Sequence, residues 1–214
     1  MDTLRKDGQL YRDFLDDEQI ITTMDTEFVR TRLPSRHTTQ EFEAEITKDL
    51  EKQSGMKNPK PDYINGIQRD KFPVPSGVHL PTEATALLEI APGMHHLFFI
   101  LEGKADRGSM AEAENQARRA GATLVNAARS LAALVDPQPS IIGPDETSFV
   151  FSATMGPNHI DIWVHWFEAK EDEMDSRYHM DIVASDTLRM AGNVEGIRRK
   201  LHNIIEWGAH NRYM

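Results

Sequence analysis

The stretch LFFILEGK, residues 97–104, decides how this chain is read. Five consecutive apolar residues are the pattern of a strand covered on both faces, and this one runs straight into a carboxylate and an ammonium. Side chains alternate across a strand, so Glu102 and Lys104 project from one face with Gly103 between them. Burying either charge unpaired costs several kcal/mol. Either the strand merely ends there, or the pair is used.

Downstream, residues 109–135 place Ala113, Ala117, Ala120, Leu124, Ala127, Leu131 and Leu134 at alternating steps of four and three. That spacing predicts a long amphipathic helix, and its small residues permit close packing on a sheet. TSFVFSATM, the turn GPN and HIDIWVHWFE then predict a hairpin. A last helix is expected over 193–207, with Val194, Ile197, Leu201, Ile204 and Ile205 inward and Gly208 as its stop. Upstream, TALLEIAP reads as another interior strand, joined to LFFILEGK by GMHH. NPKPDYINGI is strand-like, and VPSGVHLPTE is a Pro/Gly-punctuated loop. TTQEFEAEITKDLEKQSG opens with Thr38 and Glu41 at capping-box spacing, repeats Phe42, Ile46 and Leu50, and ends at Gly55, predicting a helix.

The expected fold class is therefore α/β (α+β), a mixed central β-sheet flanked by helices, with a right-handed crossover from strand to helix to strand. The expected organisation is an N-terminal helical appendage over residues 1–37 and one domain over 38–214.

The composition narrows the classes of function. The chain has 214 residues and a net charge of −10, which argues against a generic nucleic-acid coat because counterion release rewards basic surfaces. Charge is uneven, with acids concentrated over 168–186 and Arg198, Arg199, Lys200 and Arg212 near the end. The absence of cysteine removes disulfides and thiolate metal sites. No apolar run approaches the roughly 18 residues of a membrane helix, and the first residues lack the apolar core of a signal peptide. A soluble, intracellular protein without a membrane partner is the expectation.

A carboxylate and an ammonium two residues apart at a strand end can jointly hold a divalent cation and a water. Mg²⁺ takes one or two carboxylates plus phosphate and waters, so a second acid is needed, and Asp62 in KPDYI is the best placed. Gln116, near the edge of the long helix's sheet-facing stripe, could orient substrate. Other polar groups read more plainly. His95 and His96 fall in a turn and are expected at the surface. His159, Asp161 and His165 are the polar side of a half-buried strand, with Ile160, Ile162, Val164 and Trp166 inward, rather than zinc ligands. Ser109 has no partner pattern that would make it a nucleophile.

Pro61-Asp62, then Glu102-Gly103-Lys104 closing an apolar strand, then Gln116 in the helix AENQARRA, together resemble the PD-(D/E)xK nuclease superfamily. PDYINGI, FFILEGK, ENQARRAGATLVNAA and LHNIIEWGAHNR resemble more narrowly the PD-(D/E)xK nuclease-like proteins of filamentous fungi. An acid-x-Lys triplet alone is weak, since chance supplies about one in a chain of this composition. Glu168-Ala169-Lys170 is a second, but an acidic run follows it instead of a helix bearing a glutamine, and Pro144-Asp145 comes after the long helix, in the wrong order.

The resemblance implies a restriction-endonuclease-like core and metal-dependent hydrolysis of a phosphodiester in nucleic acid, DNA being the expected substrate. It implies catalytic Asp62, Glu102, Lys104 and Gln116, and Mg²⁺ (or Mn²⁺) held by Asp62, Glu102 and the Gly103 carbonyl. Lys104 would position water and stabilise developing charge, since an amine of reference pKa near 10.4 is a poor base. Asp62 lies 40 residues before Glu102, longer than is usual in the superfamily, so Glu89 in TALLEIAP is an alternative second acid. Glu45 is a further candidate on the first helix. Arg118 and Arg119 could reach phosphates. The alternative function is a nuclease fold without catalysis, acting as a binding or effector-like interaction module. The oligomeric state is open, a homodimer among the options.

Overall fold

The computed structural model describes residues 36–37, 59–69, 79–105, 108–135, 143–144, 148–172 and 175–213. The helix expected over 38–55 and the candidate Glu45 lie outside these residues, as does the appendage apart from two residues at its end. Those two, Arg36–His37, form β1, a strand rather than a helix.

The other elements follow as β2 (Tyr63–Gln68), α1 (Thr82–Leu88), β3 (Met94–Gly103), α2 (Met110–Val135), β4 (Gly143–Pro144), β5 (Val150–Met155), β6 (His159–Ala169), β7 (Arg177–Thr187) and α3 (Ala191–Tyr213). The fold is mixed α/β: five long strands and the two-residue β1 and β4 form one sheet in the order β1-β2-β3-β5-β6-β4, with β7 also paired to β6. Strand β3 runs antiparallel to β2 and parallel to β5, and α2 makes the crossover between β3 and β5. The hairpin of β5 and β6 forms where expected, with Val150 opposite His165 and Met155 opposite Ile160.

The alternation of side chains in β5 separates two apolar layers. Val150 packs with Ile100, Ala120, Leu124, Val125 and Ala127 under α2. Phe151 and Ala153 pack with Ile197, Ile204 and Ala209 of α3, and Trp207 meets Phe151 edge-on at 5.1 Å. Ala113, Ala117 and Ala120 are fully buried, as the spacing predicts, because only small side chains let a helix lie this close to a sheet. Each fully buried large side chain contributes about 1.5–3 kcal/mol.

Several expectations are corrected. TALLEIAP is not a strand: α1 occupies Thr82–Leu88, with the Thr85 N–H bonded to the Pro81 carbonyl and Ala84 and Leu88 buried one turn apart. A short apolar run does not fix the period, and the alanines with Pro81 at the start favour a helix. His95 is not in a surface turn but buried in β3. The sheet register shifts between Asn65 and Ile67, and opposite that shift His96 takes the left-handed φ of 46°. Gly208 does not stop α3, which continues to Tyr213; a Cβ on Gly208 would overlap the Phe98 ring, so the glycine admits an aromatic beside the helix. Val194, expected inward on that helix, is exposed.

A further correction concerns the polar side of β6. Asp161 and His165 are buried, because β7, which drew no strand expectation, pairs along β6 from His159 to Glu168 and α2 covers the same face. The alternation of Tyr178, Met180, Ile182 and Ala184 was the available signal for β7. Acids interrupt it, and as a largely exposed strand it buries Val183 alone. No helix among the described residues is long and apolar enough to cross a membrane.

Candidate active site

The C-terminal end of β3 meets the N-terminal end of β2 because the two strands are antiparallel, with Tyr63 opposite Leu101. Asp62 therefore stands beside Glu102 and Gly103, and its Oδ2 accepts a hydrogen bond from the Gly103 N–H at 2.7 Å. The main chain ends its pairing one residue later, where the Lys104 N–H donates to the Met155 carbonyl at 2.8 Å.

Glu102 projects to the α2 side, as Ile100 does two residues earlier, and is 2% exposed. Burial pushes its carboxyl up to about 7, and the neighbouring Asp62 charge pushes the same way; Lys104 and Arg119 oppose the rise. This is a buried carboxyl beside a second negative charge, with two cations near but neither paired to it in a salt bridge.

Lys104 projects toward α2. Its Nζ donates to Gln116 Oε1 at 2.6 Å and lies 3.9 Å from Glu112 Oε2. Glu112 and Gln116 are one turn apart on one flank of α2, and Arg119 follows on the same flank. Sequence reading passed over Glu112, although its position four residues before Gln116 was the signal.

The remaining candidates separate from this cluster. Glu89 sits just before β3, at the opposite end of the strand from Glu102. Its carboxylate accepts from the Gly93 N–H at 2.7 Å and lies 3.4 Å from Arg69 and 3.5 Å from His95. Met94 and Glu102 are eight residues apart along one strand, or about 26 Å, so Glu89 stands apart from Glu102. Arg119 shares the site's electrostatics, whereas Arg118 faces the other flank of α2, where its Nη1 donates to Asn115 Oδ1 at 2.9 Å. Glu168 and Lys170 of the second triplet stand 3.6 Å apart, with His179 3.4 Å from the same carboxylate. His159, Asp161 and Ser185 are joined at one nitrogen: His159 Nε2 is 2.8 Å from Asp161 Oδ1 and 3.3 Å from Ser185 Oγ. A nucleophilic triad needs the two ring nitrogens shared between acid and hydroxyl, so this is not one.

Among the described residues no group of three or more His, Cys, Asp or Glu converges as a metal cage. The pair Asp62 and Glu102, with the Gly103 backbone, is the donor set present, and it suits an ion that keeps several waters.

The chain belongs to the family described as a domain of unknown function, DUF7924, whose profile matches residues 9–214. No curated protein and no solved structure matches it.

Proposed function

We propose that this member of the DUF7924 family is a metal-dependent nuclease with a PD-(D/E)xK-type core and site, hydrolysing phosphodiester bonds of nucleic acid, DNA first among them. The observation that carries the reading is the hydrogen bond from Gly103 to Asp62, which brings a second acid to Glu102 across 40 residues of sequence. A carboxyl raised by burial and by an adjacent carboxylate is an arrangement that a divalent cation relieves, so the donor set fits Mg²⁺ or Mn²⁺. Asp62, Glu102 and the Gly103 carbonyl would hold it. When bound, the ion supplies Lewis-acid polarisation of the phosphate and neutralises its charge.

The chain's own groups do the rest. Gln116 fixes the Lys104 ammonium at 2.6 Å, so a donor is oriented before substrate arrives and costs no reorganisation during the reaction. Lys104 then stabilises negative charge developing on the phosphate and orients the attacking water. Arg119 adds positive potential on the same flank of α2, in a chain whose net charge of −10 otherwise repels phosphate.

The second reading is a binding module on the same fold without hydrolysis. Glu112, 3.9 Å from Lys104, favours it, because a carboxylate there competes with substrate phosphate for the ammonium.

The deciding experiment incubates the purified chain with supercoiled plasmid, linear duplex, single-stranded DNA and RNA, with Mg²⁺ or Mn²⁺. Ion-dependent cleavage that disappears in Glu102→Ala supports the nuclease. Ion binding without cleavage of any substrate transfers the site to the binding module.

A further inference from the structure

A cavity of about 100 Å³ opens where α2 crosses β6 and β7, lined by Arg118, Ala122, His165, Tyr178, His179 and Met180. Two residues on an α-helix diverge by about 200°, so Arg118 lies away from Gln116, and the cavity shares no residue with the site at Glu102.

Its innermost group is His165, 1% exposed. The imidazole fits under α2 because residue 121 is glycine; a Cβ there would overlap the ring. Ser152 Oγ, itself buried, meets His165 Nε2 at 2.7 Å. This hydrogen-bonded pair is buried beneath α2, and nothing in the proposed hydrolysis uses it. The other ring nitrogen, Nδ1, is the one nearest Gly121 on the α2 side, and it carries the proton in the tautomer in which Ser152 donates to Nε2.

Arg118 supplies the cation. One of its five N–H groups is used by Asn115, and among the described residues no carboxylate forms a salt bridge with it. Its charge reaches His165 and, after burial, is the second cause holding that ring neutral. Ala122, Met180, the Tyr178 ring and His179 complete the walls; the Tyr178 hydroxyl donates to Asn126 Oδ1 at 2.9 Å, and His179 Nε2 stands 3.4 Å from Glu168 Oε2. No carboxylate is among the residues lining the cavity, and Arg118 brings a cation to the buried pair of His165 and Ser152.

We propose that this cavity binds a compact oxyanion, a phosphate group, with Arg118 as the cationic donor and His165 Nδ1–H as the buried donor. Its volume is that of a few waters, the scale of a single phosphate. The phosphate is either free or the terminal monoester of a nucleic-acid strand. Bulk attraction does not explain such binding in a chain of net charge −10, so the two named donors must supply it. The proposal does not rest on the nuclease reading.

The test titrates inorganic phosphate into the full chain, free of divalent cations, while the ring signals of His165 are followed by NMR. Expected are saturable shifts of His165, an affinity lowered about tenfold or more in Arg118→Gln, as for a lost charge-assisted hydrogen bond, and an unchanged affinity in Arg189→Gln, which removes the same charge from an exposed turn. Shifts that never saturate, or equal affinities in Arg118→Gln and the parent, overturn the proposal. A 5′-phosphorylated oligonucleotide that reproduces the His165 shifts, where its unphosphorylated twin does not, identifies a strand end as the occupant. Shifts from inorganic phosphate alone identify the free ion.

Discussion

Asp62 Oδ2 and the Gly103 N–H are joined at 2.7 Å, so the acid nearest Glu102 is fixed by the backbone of the same strand end that carries Glu102. The bond has two separable parts, an acceptor and a charge. Asp62→Asn keeps an acceptor for Gly103 while removing the charge that helps raise Glu102. In that variant the Glu102 carboxyl should titrate lower, and affinity for Mg²⁺ should fall at least several-fold with the melting temperature little changed. Calorimetric titration with Mg²⁺, alongside NMR titration of the Glu102 carboxyl carbon, measures both.

Lys104→Ala removes the ammonium held by Gln116 but neither carboxylate. Ion binding should persist while cleavage of supercoiled plasmid falls by on the order of 10² or more, if chemistry is limiting. Gln116→Ala leaves the ammonium in place without its fixed partner, and a smaller loss is expected. Equal cleavage by the parent and Lys104→Ala would place the activity elsewhere.

Glu102 also sets a pH dependence of stability. Its folded carboxyl is raised from 4.5 to about 7, so the folded chain holds a proton that the unfolded chain has lost between those values. Stability from this group is full below pH 4.5 and is lost as pH rises through 7, by on the order of 3 kcal/mol in all. Glu102→Gln should therefore melt several degrees higher than the parent at pH 8 without divalent cations, while Mg²⁺ raises the melting temperature of the parent alone. A variant that melts lower at pH 8 contradicts the burial argument.

His165 has the opposite sign. Burial holds its pKa down from 6.5 to about 3, so the unfolded chain binds a proton that the folded chain refuses. Stability from this group is full above pH 6.5 and is lost as pH falls toward 3, at about 1.4 kcal/mol per pH unit within that window. Urea unfolding at a series of pH values should show this slope in the parent, and His165→Gln should flatten it by one proton. An unchanged slope would mean that His165 is protonated in the fold.

Gly208 and Gly121 reverse the usual rule for helices. Ala for Gly in a helix interior ordinarily stabilises by up to about 1 kcal/mol. Here the added methyl meets Phe98 or His165, and overpacking costs about 1–3 kcal/mol. Both Gly208→Ala and Gly121→Ala should lower the urea midpoint, whereas Gly196→Ala, with open space at its Cβ, should not.

Periodicity carried much of the architecture. The spacing of Ala113 through Ala127, the run LFFIL and the turn GPN between alternating strands are local patterns, and the hydrophobic effect reads them without knowing their partners. They sufficed for β3, α2 and the hairpin of β5 and β6. Local pattern failed where a segment's period is ambiguous or its partner decides: Thr82–Leu88 folds as a helix, Gly208 serves Phe98 rather than ending α3, and β7 is held chiefly by the strand it pairs with. The cluster divides in the same way. Alternation along one strand already put Glu102 and Lys104 on one face, and helix spacing put Gln116 near the edge of the stripe beside them. That Asp62 and not Glu89 stands beside Glu102 depended on which end of β3 each reaches, and the divergence of Arg118 from Arg119 on how α2 lies across the sheet. Burial of His165 required β6, β7 and Gly121 together. Those are long-range facts: strand order and helix placement minimise exposed apolar area over the whole chain, and no window of neighbouring residues contains that sum.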